Sequence, residues 1–594
     1  MGLELTFSWV DWAIVSVLLA GTTLAGWLLS RAHQTYADFF HGGRRLPWWA
    51  VSASIVSAQL SGTTFIALPV LSYRDGGNLT FCLVLLGALI SRVIVAWLVI
   101  PKLYAGNYAS VYDMVRQRLG PQGQRALSLL YIASCLLQES GRLFAFALPV
   151  RVLLDGPLSY LATHTGIDAL VWAVILIGLL SAAWTMMGGI VTVIWTDVIM
   201  TSLFTVGALA IIAVLAMKFD GGLSAAWTLA EGAGKTKLWE FSIDPTISFT
   251  IWVGLLASSW AGIGALVADQ SVNQKLLCCK NARTAQLALV SSWLGAIVPI
   301  SCVIIGVLLW AFHRQQPMTP GEAALVARQA DYVFPVFIGT QLPIGLGGLV
   351  IASVIAAAVP TSTLSALSQL TINLLPARYR EVNAGESNVE ADRRRLSLSR
   401  WCVVGWTVAL CLMAQVFAYA ASHFKSIMDA AYNLSGQVGG AMLGAFLLAW
   451  LTRSRRTPSA RGYAFAAPLS IVMIFSLAFH GFWPVMVTLT AAAILLAAWS
   501  WSCRNDWQSS RLVLLQTTAL AAGLVAAVAI CRYGYFTLPS GKTANLAATW
   551  YITIGSLITL GFGWLLDRPS PARSASTMPA MVASPSETNG IQPA

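Results

Sequence analysis

The sequence is short of charge. Lys, Arg, Asp and Glu make up 10% of its 594 residues, against about 25% in an ordinary soluble chain. That shortage excludes a hydrated surface over most of its length. With 57% apolar residues and a mean hydropathy of +0.71, it leaves the lipid bilayer as the main solvent. Histidine is scarce too: six are present, mainly in expected loops or at span ends. No paired carboxylates and no Ser/His pair share one depth, which argues against an enzyme. The nine cysteines sit mostly inside apolar runs with no metal-ligand spacing. The adjacent Cys278 and Cys279 fall in an expected cytoplasmic loop, where thiols stay reduced, so no disulfide is expected. Lys and Arg are missing from the first nine residues, and the first apolar run is too long for the core of a cleavable signal.

What is present is a series of long apolar runs. Hydrocarbon offers the backbone no hydrogen bonds, so such runs must be helices or a closed barrel, and no period-two alternation supports a barrel. About fifteen spans are expected, near 8–30, 48–73, 79–101, 125–153, 168–187, 190–217, 249–268, 285–312, 344–374, 398–420, 427–451, 462–480, 482–501, 512–531 and 545–566. The net charge of +12 would suggest nucleic acid if it lay on a soluble face. Instead the Lys and Arg cluster in alternate loops. Placing the N-terminus outside puts about 24 of the 36 in cytoplasmic loops, about 10 outside and about 2 within spans. Lys275, Lys280 and Arg283 count among the cytoplasmic loop charges. The expected location is therefore the plasma (cell inner) membrane, N-terminus outside and C-terminus cytoplasmic, with lipid as a partner and no nucleic acid or obligatory protein partner. Residues 1–567 form one transmembrane domain. Residues 568–594, rich in Pro, Ser and Ala, read as a disordered cytoplasmic tail.

Two spans are unusual at their centres. The second, RRLPWWAVSASIVSAQLSGTTFIALP, carries Ser57, Gln59, Ser61, Gly62, Thr63 and Thr64 close together. Small hydroxyl residues beside a glycine suit a locally unwound helix, whose freed carbonyls coordinate a cation and whose half-helix ends hold a substrate. They suit a helix-packing face equally well. The ninth, ASVIAAAVPTSTLSALSQLTINLL, carries Thr361, Ser362, Thr363, Ser365 and Ser368. Neutral oxygens of this kind suit sodium, a hard cation, and Pro360 leaves a carbonyl without its helical donor. One such span in each half of the chain is the pattern of an inverted-repeat transporter.

Ordered motifs carry a further resemblance. ADFFHGGRRLPWW precedes the second span and YASVYDMVRQRLG follows the third. MMGGIVTVIWTDV lies at the fifth turn, DQSVNQKLL after the seventh span, and GAMLGAFLLAWL and ARGYAFA around the eleventh. From about residue 36 to about residue 465 the chain resembles the sodium:solute symporter family. The resemblance implies an all-α polytopic membrane protein with a leucine-transporter-like inverted repeat of 5+5 helices, the core repeats lying at about 45–217 and 249–451. It implies sodium-coupled transport of a small organic solute by alternating access. The alternatives are a proton-coupled carrier or a solute sensor of the same fold.

The resemblance also implies a site. Sodium would be held by Ser57 and Leu60 in the second span and by Ala358, Thr361 and Ser362 in the ninth; Pro360 departs from the family's pattern. Asp197 would help sodium leave or join Ser365 in a second sodium site, although Leu364 replaces one hydroxyl there. A helix-capping carboxylate is the other reading of Asp197. Ser61, Thr64 and Arg142 would contact the solute. Arg142 stands where sialic-acid-carrying relatives hold a carboxylate; it lies three residues after Glu139, which could neutralise it instead. With Arg92, two arginines against one glutamate leave a surplus positive charge for an anionic solute to balance.

Overall fold

The computed structural model describes residues 8–30, 46–60, 63–106, 111–187, 190–357, 361–375, 388–421, 427–451, 460–503, 511–533 and 546–566. Among them the chain is helical, with one isolated bridge between Leu46 and Cys279. The expected tail lies outside the described residues.

The main helices follow the apolar runs. The first part of the chain forms α1 (Trp9–Ser30), α2 (Trp48–Gln59), α3 (Leu68–Tyr73), α4 (Val84–Leu98), α5 (Val111–Leu153), α6 (Ala169–Met187) and α7 (Ile190–Lys218). The middle forms α8 (Ser259–Ala268), α9 (Gln270–Leu276), α10 (Ala282–Ser291), α11 (Ile297–Gln315), α12 (Leu346–Ala357), α13 (Thr361–Leu374), α14 (Asn388–Ala421) and α15 (Ile427–Leu451). The last part forms α16 (Ala460–Ala478), α17 (Phe482–Cys503), α18 (Arg511–Tyr533) and α19 (Tyr551–Leu565).

Helix occupies part of each of the fifteen expected ranges, but the span count is not confirmed. Among the described residues, eight helices are long and apolar enough to cross a membrane, or up to ten if each of two bent pairs is one span. Four further apolar helices, such as Val253–Ala268, are shorter.

The break that matters most separates α2 from α3. α2 stops at Gln59; Leu60 is extended (φ −72°, ψ 109°), and its N–H closes the last turn onto Val56 O. The chain re-enters through a π-helical turn, Thr63–Ala67, and the two halves bend by 64°. An ending helix leaves its last carbonyls without intrahelical donors. At the far end of α3 that need is met by a lysine from a distant loop: Lys235 Nζ donates to the carbonyls of Ser72, Tyr73 and Arg74 at 3.0, 2.8 and 2.6 Å. Burial pushes this ammonium down to about 8, Asp75 pulling the other way, so it remains largely charged at neutral pH. Lys235→Met takes the ammonium away from Ser72 O and Tyr73 O, while Arg74 O keeps the Gly77 N–H. We expect it to cost about 1–3 kcal/mol, read as a lower thermal midpoint of the detergent-solubilised protein.

Around the break, α2 packs on α7 and α9, α3 on α11, and α5 on α14 and α15. α13 lies against α9 and α14. Among these, α9 touches both α2 and α13, and α5, which carries Arg142, also touches α13.

Candidate functional site

Where α2 ends, two carbonyls meet a guanidinium. Arg142 Nη2 donates to Ala58 O and Leu60 O, each at 2.7 Å. Its Nη1 faces Glu139, 3.2 Å from Oε2, and Glu139 Oε1 accepts from Thr363 Oγ1 on α13 at 3.1 Å. A guanidinium offers five donors in a planar fork, so Arg142 can satisfy both the helix end and its own carboxylate. Both alternatives raised by the sequence therefore involve real neighbours: Arg142 does pair with Glu139, and it also lines a cavity.

That cavity encloses about 490 Å³ and is bounded by Leu60, Thr64, Arg92, Glu139, Arg142, Asp269 and Ser292, among others. A second, of about 780 Å³, shares Phe81, Ala548 and Thr549 with its wall. Across the first cavity Arg92 donates to Ser292 Oγ at 2.9 Å, to Ala88 O at 2.8 Å and to Gln59 Oε1. All of these partners are neutral. The expected surplus of positive charge needs correction: Asp269 also faces the cavity, so two arginines stand against two carboxylates. Asp269 is engaged elsewhere, however, accepting from Ser271 N–H and Tyr131 Oη.

Asp197 does not cap a helix. It is the eighth residue of α7 and accepts from three groups. Ser54 Oγ donates to Oδ2 at 2.5 Å and Ser57 Oγ to Oδ1 at 3.1 Å. Lys275 Nζ lies 2.9 Å from Oδ2 and donates also to Ser54 O at 2.9 Å. Lys275 is a second correction. Expected in a loop, it lies instead in a helix and is 0% exposed, because the short α9 folds in against α2 and α13. Cys278 and Cys279, assigned to the same loop, are also 0% exposed.

Of the other expected site residues, Ser362 and Ser365 are buried on α13. The Ser365 hydroxyl, like that of Ser368, meets no hydrogen-bond partner. Thr64 lies in the π-helical turn at the cavity wall. Thr361 begins α13, while Ser61 and Ala358 lie outside the described residues. The structure thus brings together Ser57 with Asp197, and Leu60 with Arg142. It also adds Lys275, Ser54, Glu139 and Thr363 to the set.

The donor types suit a hard, singly charged cation: helix-end carbonyls and serine and threonine hydroxyls, all neutral oxygens. Arginine forks at the wall suit an oxyanion.

Comparison with known proteins agrees on family. A family model described as the sodium:solute symporter family matches residues 39–453. A sodium/sialic acid symporter of Proteus mirabilis is 29% identical over 464 residues, spanning 76% of this chain and 87% of its own. The sodium-coupled monocarboxylate transporter 2 of Bos taurus is 25% identical, spanning 74% of this chain and 68% of its own. The solved structure of a Na⁺-coupled sialic acid symporter, substrate-bound and outward-open, superposes with a TM-score of 0.67 at 23% identity. It covers 94% of this chain and 99% of that one, a likeness of fold.

Proposed function

The chain belongs to the sodium:solute symporter family, a sodium-coupled transporter and not an enzyme, and from that premise we propose that its solute is a small organic anion bound between Arg142, Arg92 and Thr64. The observation that carries this is Arg92: a buried guanidinium on the cavity wall whose bonds all go to neutral oxygens. A charge held in the membrane without an opposite charge is costly unless it faces a cavity that supplies one. The relatives' names point the same way, since sialic acid and monocarboxylates are both carboxylates. Ser61 completes the proposed solute contacts.

Sodium, in this reading, sits between the carbonyls of Ser57 and Leu60 and the α13 side, with Ala358, Thr361 and Ser362 as its other ligands. Asp197 lies on its way to the cytoplasm, with Ser365 as the hydroxyl of a second ion. The reading is supported by the break at Leu60 and by the burial of Ser362 on α13. Residues 45–217 and 249–451 form the two repeats, and the N-terminus faces outside, as the charge distribution favours. An inward-negative potential then adds about 2.3 kcal/mol per sodium charge per 100 mV. Binding free energies are coupled, with no covalent chemistry.

The test compares thermal midpoints in sodium and in potassium at equal ionic strength, for wild type and Ser362→Ala. Sodium should raise the wild-type midpoint, by mass action about 2.7 kcal/mol at a hundred times its dissociation constant, and leave the variant unmoved. Lactate and N-acetylneuraminate, added in sodium, should raise it further, whereas neutral sugars should not. Equal midpoints in the two cations would favour a proton-coupled carrier instead.

A further inference from the structure

A half-helix ending inside a membrane presents its last carbonyls, and the negative end of its dipole, to whatever lies beyond. A cation belongs there. At the end of α2 one is already in place: the Arg142 guanidinium, 2.7 Å from both Ala58 O and Leu60 O. Leu60 O is also the carbonyl proposed above as a sodium ligand. Two cations cannot share one carbonyl oxygen without bringing their charges within a few ångströms of each other, in a site where water screens little. Arg142 and sodium therefore oppose each other at this oxygen.

Arg142 has somewhere else to go. It lines the cavity proposed for the solute, and an oxyanion there offers a bidentate partner that a pair of carbonyls cannot equal. Glu139 stays behind, tied to Thr363 on the helix that carries Ser362. Once Arg142 turns to the solute, that carboxylate adds negative charge near the sodium position.

We infer that Arg142 is an internal competitor for sodium: it holds the half-helix carbonyls, and the anionic solute draws it off them. Solute binding frees Leu60 O for sodium, and sodium binding releases Arg142 to the solute. Linkage requires the two effects to be equal. The coupling of ion to solute thus runs through one side chain that exchanges partners. This rests on the placement of sodium at Leu60 and Ser362 proposed above.

The experiment needs sodium alone as its probe. Sodium is titrated against choline at constant ionic strength, with tryptophan fluorescence of the full-length purified protein as the readout. Wild type is compared with Arg142→Gln, Arg142→Gln/Glu139→Gln and Ser362→Ala. The double variant has the same net charge as wild type, so it separates loss of the competing donor from a change of charge. The expected result is sodium binding about fivefold tighter or more in both Arg142 variants, and weaker binding in Ser362→Ala. Unchanged or weaker binding in both Arg142 variants, with Ser362→Ala still impaired, would overturn the inference and leave the sodium site standing. An unaffected Ser362→Ala would remove the site and the inference together. If Arg142→Gln does not fold, Arg142→Met decides. Its thioether has no N–H to give Ala58 O or Leu60 O, so sodium should still bind more tightly than in wild type; equal or weaker binding overturns the inference.

Discussion

Replacing Lys275 by Met is expected to destabilise the protein by about 3–5 kcal/mol, and adding Asp197→Asn is expected to recover most of that loss. Lys275 is wholly buried and Asp197 nearly so, their side chains 0% and 12% exposed, with 2.9 Å between Nζ and Oδ2. Removing the ammonium leaves a carboxylate held only by the hydroxyls of Ser54 and Ser57. Burial of an unpaired charge is what makes breaking such a pair severe, whereas removing both charges together is often close to neutral. The measurement is a double-mutant cycle on the midpoint of thermal unfolding in detergent: wild type, Lys275→Met, Asp197→Asn and the double variant. A coupled pair gives a double variant more stable than either single one. Losses that add would show two independent sites and end the assignment of this pair as one unit. The cycle also bears on transport, because the pair ties α7, α9 and α2 together. A carrier that recovers stability without the charges but fails to move sodium would place Asp197 on the ion's path.

Hydropathy made the long helices legible, because a helix in hydrocarbon must be apolar over its whole length. The broken second span was legible for the opposite reason: Ser57, Gln59, Ser61 and Thr64 have no business at the centre of a continuous apolar helix, and the chain does break at Leu60. Arg142 and Asp197 stood out as charges among apolar neighbours. Lys275 did not. The helix that carries it, Gln270–Leu276, is polar and too short to register as a span, and its burial comes from folding back against α2 and α13. No local pattern reports that. The same holds for Glu139 with Thr363, 224 positions apart in sequence, and for Arg92 with Ser292, 200 apart. The spacing of Glu139 and Arg142 exposed their pairing; nothing in the spacing exposed the carbonyls of Ala58 and Leu60 as further partners, because a backbone acceptor has no sequence signature. Asp269 escaped the charge count for a related reason. It caps α9 through Ser271 N–H and reads as a helix start, yet it also borders the cavity.

Gly306→Val is expected to destabilise the protein markedly, because α3 rests on this position. A Cβ at this position would lie 2.0 Å from Pro69 O and 2.2 Å from Ser72 Oγ. The first of these is backbone and cannot rotate away, so the two helices must separate. Ser72 Oγ now donates to Val303 O at 2.7 Å across the same contact, and that bond would be lost as they part. Overpacking a close contact costs about 1–3 kcal/mol and occasionally more; a lost hydrogen bond adds about 1 kcal/mol. Ser72→Ala removes the bond without the clash and should show only the smaller effect. The functional consequence follows from where α3 leads. It is the continuation of the broken span, so moving it off α11 shifts the π-helical turn and Thr64 relative to Arg142. Gly306→Val is therefore expected to lower the thermal midpoint and to reduce the extra stabilisation that sodium gives, whereas Ser72→Ala should keep the sodium effect. The check is the midpoint of each variant in sodium and in potassium. A Gly306→Val protein with a lowered midpoint and an undiminished sodium effect would show that the ion site does not depend on how α3 is seated, and would confine sodium binding to the α2 side of the break.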